Sequence, residues 1–169
     1  EKEAYLLRVK IAKAAAEVSG EALIVTDGTR RNAVQWLQHE DRTITFETPD
    51  AIIAERYIMV LMYDMLGGSG WTLANTFKAE DETTCQWGSH VDIFSQLTIL
   101  ECDEDSRITD IFARDGGPTG NLPSELGGLG RLTSMRIGTG AIRGTIPTEF
   151  GNLSLLTRFS LSPNLLSGK

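Results

Sequence analysis

The chain has 169 residues, 16 Lys and Arg against 23 Asp and Glu for a net charge of −7, 41% apolar residues and two cysteines. Such a composition excludes a wholly disordered chain, and the acidic balance argues against nucleic acid or an anionic membrane as the default partner, since both require a basic face. The longest strongly apolar stretch, Tyr57–Tyr63, is closed at once by Asp64, so nothing in the chain is expected to span a bilayer; the start on Glu1 without a signal-peptide pattern reads as a processed or trimmed chain.

Residues 1–19 place Ala4, Leu7, Ile11, Ala14 and Val18 at three-to-four-residue steps, which predicts an amphipathic helix docked on its own molecule or, alternatively, on a partner. A shorter helix is predicted over Arg31–His39, burying Ala33, Trp36 and Leu37. Thr48-Pro49-Asp50 predicts the start of a third, with Thr48 as N-cap and Pro49 at the first helical position. Ile53, Tyr57, Val60, Leu61 and Met65 continue that helical period, and Gly67-Gly68 ends it.

Catalytic chemistry is sparse. The histidines are His39, beside Glu40 and Asp41 at a helix end, and His90, next to Asp92. A Cys85–His90 site can be imagined, but zinc sites want four nitrogen or sulfur ligands at tight spacing, so no metal is assigned. Glu80-Asp81-Glu82 and Asp103-Glu104-Asp105 read as solvated loops, with a loose surface calcium site as the functional alternative. "DGGPTG" has neither dinucleotide-fingerprint nor P-loop spacing. No nucleophile stands with a base and an orienting group, so no catalytic residue and no cofactor are assigned, and an enzyme is not expected.

Charge and turn residues change together near residue 106. Residues 1–106 hold 9 basic and 19 acidic side chains, whereas residues 107–169 hold 7 and 4 and carry 11 of the 17 Gly and 4 of the 5 Pro. Beyond that point one spacing of 24 residues recurs: Gly120, Gly144 and Gly168; Pro123 and Pro147; Glu125 and Glu149; Gly127 and Gly151; Leu129 and Leu153. Apolar positions keep the step, as Ile108, Leu132, Leu156; Ile111, Met135, Phe159; and Ala113, Ile137, Leu161. Met135 and Ile137 flank polar Arg136, as in a short strand with one buried face. A unit this small cannot bury its apolar side alone, so stacking into a solenoid is the expected solution.

The runs "GNLPSELGGLGRL" and "GTIPTEFGNLSLL" resemble the 24-residue, plant-type leucine-rich repeat. Repeats are set at 105–128, 129–152 and a cut-off 153–169, with more expected beyond. That family's turn asparagine is present as Asn164 but replaced by Gly140 and Gly116, so looser first turns are expected. "GGSGWTLANTF", Cys85, Trp87 and Cys102, followed by "SRITDIF", resemble the N-terminal cap of the same family, and the upstream text looks closest to leucine-rich repeat proteins of diatoms and related algae. What the resemblance implies is an α/β repeat fold: a leucine-rich repeat solenoid of short parallel strands with a mainly helical N-terminal cap. It divides as a helix over 1–20, a cap over 21–106 and repeats over 107–169.

The resemblance also implies a Cys85–Cys102 disulfide, hence an extracellular or cell-surface location with any membrane anchor outside this segment. The alternative is two reduced, buried thiols. Asn152-Leu153-Ser154 is a glycosylation sequon compatible with secretion. On a concave strand face the outward rows are Asp110, Ser134, Arg158; Phe112, Arg136, Ser160; and Arg114, Gly138, Ser162. These rows are the expected recognition face for a protein or glycan ligand. The alternative function is a structural subunit that packs against other chains through residues 1–20 or the open repeat end.

Overall fold

Helix α1 runs over Lys2–Ser19, α2 over Gly28–His39 and α3 over Asp50–Met65. The computed structural model describes residues 1–21, 28–71, 77–88, 99–113 and 117–168. The predicted stripe of α1 is only partly used: Ile11, Ala14 and Ala15 are buried, Leu7 and Val18 half-buried, and Ala4 exposed. Its docking is intramolecular, against α2 and α3. The Lys10 ammonium fixes it further by donating to the carbonyls of Phe46 and Thr48 at 2.7 and 2.6 Å.

Helix α2 starts three residues before the predicted Arg31 and buries Ala33, Val34 and Leu37, while Trp36 stays half-exposed. Helix α3 departs most from expectation. Ile53, Tyr57, Ile58, Met59, Val60, Leu61 and Met62 are all fully buried, so it has an apolar surface nearly all round and lies between the other helices and the repeats. Side chains of this size contribute about 1.5–3 kcal/mol each when taken out of water. Its start is also shifted: Pro49, not Thr48, is the cap residue, and the Thr48 hydroxyl instead accepts from the Thr45 amide at 2.9 Å in the preceding turn. Proline is tolerated there because the first backbone amides of a helix have no intrahelical acceptor. The helix stops where Gly67 takes a left-handed φ of 70°.

Strands β1 (Ile99–Cys102), β2 (Ile108–Ala113), β4 (Ser134–Ile137) and β6 (Arg158–Ser160) form one sheet in the order β1-β2-β4-β6. Pairing of β1 with β2 is antiparallel, and β2, β4 and β6 run parallel. Strands β3 (Thr119–Asn121) and β5 (Ala141–Arg143) form a separate parallel pair. Short 3-10 turns over Ser124–Gly128 and Thr148–Asn152 complete each unit. In both ladders the residues opposite one another are separated by 22 or 24 residues: Thr119 faces Ala141, while Ile111 faces Met135, which faces Phe159.

The inward rows match the apolar spacing. Ile108, Ile111, Ala113, Leu132, Met135 and Ile137 are buried, and one continuous core joins them to the helices. Phe159, in the outermost described strand, is 41% exposed. The turn at Gly140, which lacks asparagine, differs in kind. Asn164 bonds three backbone groups, accepting from Ile142 N–H and donating to the carbonyls of Ile137 and Leu161. At Gly140 an added Cβ would lie 2.4 Å from the Pro118 carbonyl oxygen, so the previous unit's proline fills the space and that turn is tight rather than loose. Gly116 lies outside the described residues.

Candidate recognition face on the parallel sheet

Because side chains alternate along a strand, the residues between the buried positions of β2, β4 and β6 emerge on the far side of the sheet. The register brings the expected rows together: Asp110 opposite Ser134 opposite Arg158, and Phe112 opposite Arg136 opposite Ser160. The Arg136 guanidinium stacks on the Phe112 ring, 4.6 Å from its centroid. Arg158 reaches across two strands to Asp110, with Nη2 3.3 Å from Oδ1, and Thr133 Oγ1 donates to Oδ2 of the same carboxylate at 3.4 Å. Phe112, Arg136, Ile137, Gly138, Ser160 and Ser162 line a shallow depression of about 130 Å³.

Ser134 is not the surface residue its row suggests. It has no exposed area, and its hydroxyl has no hydrogen-bond partner among the described residues. In register it stands between Asp110 and Arg158, whose ion pair spans the strand that carries it. An unpaired buried hydroxyl costs about 1–3 kcal/mol, which makes this an unfavourable spot in the free protein. Arg114, of the third row, lies outside the described residues, as do His90 and Asp92.

Elsewhere the expected residues serve structure. Cys85 and Cys102 are joined, with Sγ atoms 2.07 Å and Cα atoms 5.9 Å apart, tying the Thr84–Gln86 turn to β1. Trp87 is fully buried beside them, its indole N–H donating to the Ala79 carbonyl and its ring lying under Arg56 at 4.2 Å. Asn152 is exposed at the end of the Thr148–Asn152 turn. Of the acidic runs, Glu80 pairs with Arg42 at 3.1 Å, and Asp103 Oδ1 accepts from the amides of Asp105 and Arg107. Among the described residues no group of three potential metal ligands gathers.

Sequence reading missed the buried charges that fasten helices to repeats. Arg30 in α2 forms a two-point contact with Glu125, whose Oε1 also accepts from the Ser19 hydroxyl at 2.8 Å. Ser19 lies 2.7 Å from the Tyr57 hydroxyl in turn. Burial alone would raise the Glu125 pKa, but the hydrogen bonds from Arg30 and Ser19 and the nearby positive charge hold it below the ordinary carboxylate range. Glu55 in α3 takes Arg107 at 2.7 Å and the Ile108 amide at 2.9 Å, and Arg56 pairs with Asp41. No motif flags these residues. The 24-residue recurrence of Glu125 as Glu149 even misleads, since Glu149 is exposed.

No protein-family model and no curated protein sequence matches the chain. Among solved structures it is similar to the leucine-rich repeat ectodomain of the receptor kinase SOBIR1 from Arabidopsis thaliana, at 16% identity and TM-score 0.45, over 66% of this chain and 54% of that one. It is also similar to PEPR1 with AtPEP1, at 22% identity and TM-score 0.43, over 56% and 12%. A plant ice-binding protein matches at 22% identity and TM-score 0.43, over 64% and 40%. The chain thus spans about half or less of the length of these structures. No helix among the described residues is long and apolar enough to cross a membrane.

Proposed function

We propose that the chain is a non-enzymatic recognition module of the leucine-rich repeat type: a helical, disulfide-linked cap leading into a solenoid, working outside the cell or at its surface. The carrying observation is the in-register pair of outward rows, Asp110–Ser134–Arg158 and Phe112–Arg136–Ser160, on the parallel strands. Arginine and aromatic side chains are the types over-represented where ligands bind tightly. The Cys85–Cys102 bond fits an oxidising compartment, and exposed Asn152 in its sequon fits N-glycosylation there. In this reading a ligand meets the face directly. The double substitution Arg136→Ala with Arg158→Ala should abolish binding of whatever ligand an array of extracellular proteins and glycans yields, while leaving circular dichroism unchanged. Retained binding would move the site elsewhere.

An assembly role is the second reading, favoured by apolar surface away from the face. Tyr5, Leu6 and Val9 on α1 are exposed, as is Phe46, and so are Ile146 in the second unit and Leu155, Phe159 and Leu165 in the third. A groove of about 570 Å³ lies between the start of α1 and residues 44–47. If partners dock there, Leu155→Glu and Tyr5→Glu, rather than the arginine substitutions, will break the complex recovered from the native source.

A further inference from the structure

The outward side chains of β4 and β6 form a small checkerboard. Ser134 and Arg136 stand on one strand, Arg158 and Ser160 opposite them on the next, so the two guanidinium groups are diagonal neighbours with a hydroxyl at each of the other corners. Diagonal positions of this kind lie about 7–8 Å apart, within reach of one another for long side chains. Among the described residues no carboxylate lies within ion-pair distance of Arg136, whose charge rests on the Phe112 ring. Among the described residues Arg158 is paired with Asp110 alone, two strands away. In register between the two stands Ser134, its hydroxyl buried and without a partner among the described residues.

We propose that this checkerboard binds an acidic glycan, through the carboxylate or sulfate groups of successive sugar units, and that Asp110 is a built-in competitor for the same cation. The inference rests on the recognition reading above and gives its ligand a chemical class. An incoming carboxylate or sulfate takes the Arg158 guanidinium from Asp110, the bridge between them opens, and the Ser134 hydroxyl donates to the incoming oxygen. A second anionic group meets Arg136. Guanidinium matches such oxyanions in planar, two-point contacts, which is why arginine suits the task better than lysine.

A glycan fits better than an acidic protein. Protein ligands anchor through apolar side chains in dry pockets, but among the described residues lining the depression Ile137 is buried in the core and Phe112 is already covered by Arg136. The depression beside it is shallow, and Ser160 and Ser162 contribute hydroxyls to its lining, which suits hydroxyl-rich sugar rings.

The test titrates the whole chain with a short oligogalacturonate, a heparin-derived oligosaccharide, a poly-glutamate peptide and neutral dextran. Binding to either acidic sugar and not to dextran is expected, weakening with added salt as exposed charge pairs do. Binding to the first sugar alone identifies carboxylate as the source, and to the second alone, sulfate. Arg136→Gln and Arg158→Gln should each weaken binding by about tenfold. Asp110→Asn should tighten it several-fold, a gain that misfolding cannot imitate. Failure to bind both acidic sugars, or loss of affinity in Asp110→Asn, overturns the inference. If the peptide binds through Arg136 and Arg158 while the sugars do not, the glycan assignment falls and the recognition face stands. If no ligand of any class responds to these substitutions, both fall.

Discussion

At Glu125 a single carboxylate ties three helices to the first unit of the repeats, through Arg30, Ser19 and, by way of Ser19, Tyr57. Removing one partner of a buried ion pair strands the other, so Glu125→Ala should cost about 3–5 kcal/mol in chemical denaturation. Acid should have the same effect in the intact protein. The Glu125 carboxyl is held below its ordinary value of 4.5, so the unfolded chain takes up a proton at higher pH than the folded chain does. Its contribution is complete above that value and is lost as pH falls through the depressed folded-state value. A stability–pH profile should therefore decline on the acid side of pH 4.5 in the native protein. The same decline should be smaller in Glu125→Ala. An unchanged acid limb would remove Glu125 from this role.

The elements divide into those a single strand of text could reveal and those it could not. Strands β2, β4 and β6 were legible because inward positions repeat at a fixed step, and a one-residue slip would have put Met135 and Ile137 in water. Gly127 was legible as a recurrence but not in its cause, which is that the Glu149 carbonyl of the following unit lies 2.3 Å from where its Cβ would be. Helix α3 was half legible. Its period showed one face, while burial of the opposite face by Ile58, Met59 and Met62 depends on neighbours distant in sequence. The missing turn asparagine gives a direct comparison. Gly140→Ala should destabilise by about 1–3 kcal/mol through overpacking against Pro118, and Asn164→Ala by a similar amount through lost hydrogen bonds. Thermal unfolding that tolerates Gly140→Ala would refute the packing account. For the cap, reduction of Cys85–Cys102 should lower stability by about 3 kcal/mol, as expected for a cross-link of 17 residues' separation. Equal midpoints with and without reductant would show that the cap does not need it.

At the scale of the molecule, the acidic helices and the more basic repeats share one core, so the contrast in charge marks two surfaces over a common interior. The face of the sheet and its rows followed from the repeat step. Burial of Ser134 did not, nor did the ion pair between Asp110 and Arg158, residues 48 positions apart, that flanks it. The buried ties across the helix–repeat joint have the same origin: Arg30 with Glu125, and Glu55 with Arg107, are meetings that no local pattern announces.

Those meetings also govern how the chain reaches its structure. Ser19 and Glu125 are separated by 106 residues, and Arg30 and Glu125 by 95. The entropy of closing such loops is spent before the contacts reward it, and rates of folding fall as contacts become more distant in sequence. A helix-rich first half would by itself suggest rapid folding. Here α1 ends on a residue whose partner lies at the end of the first unit of the repeats, so that contact closes no sooner than that unit forms.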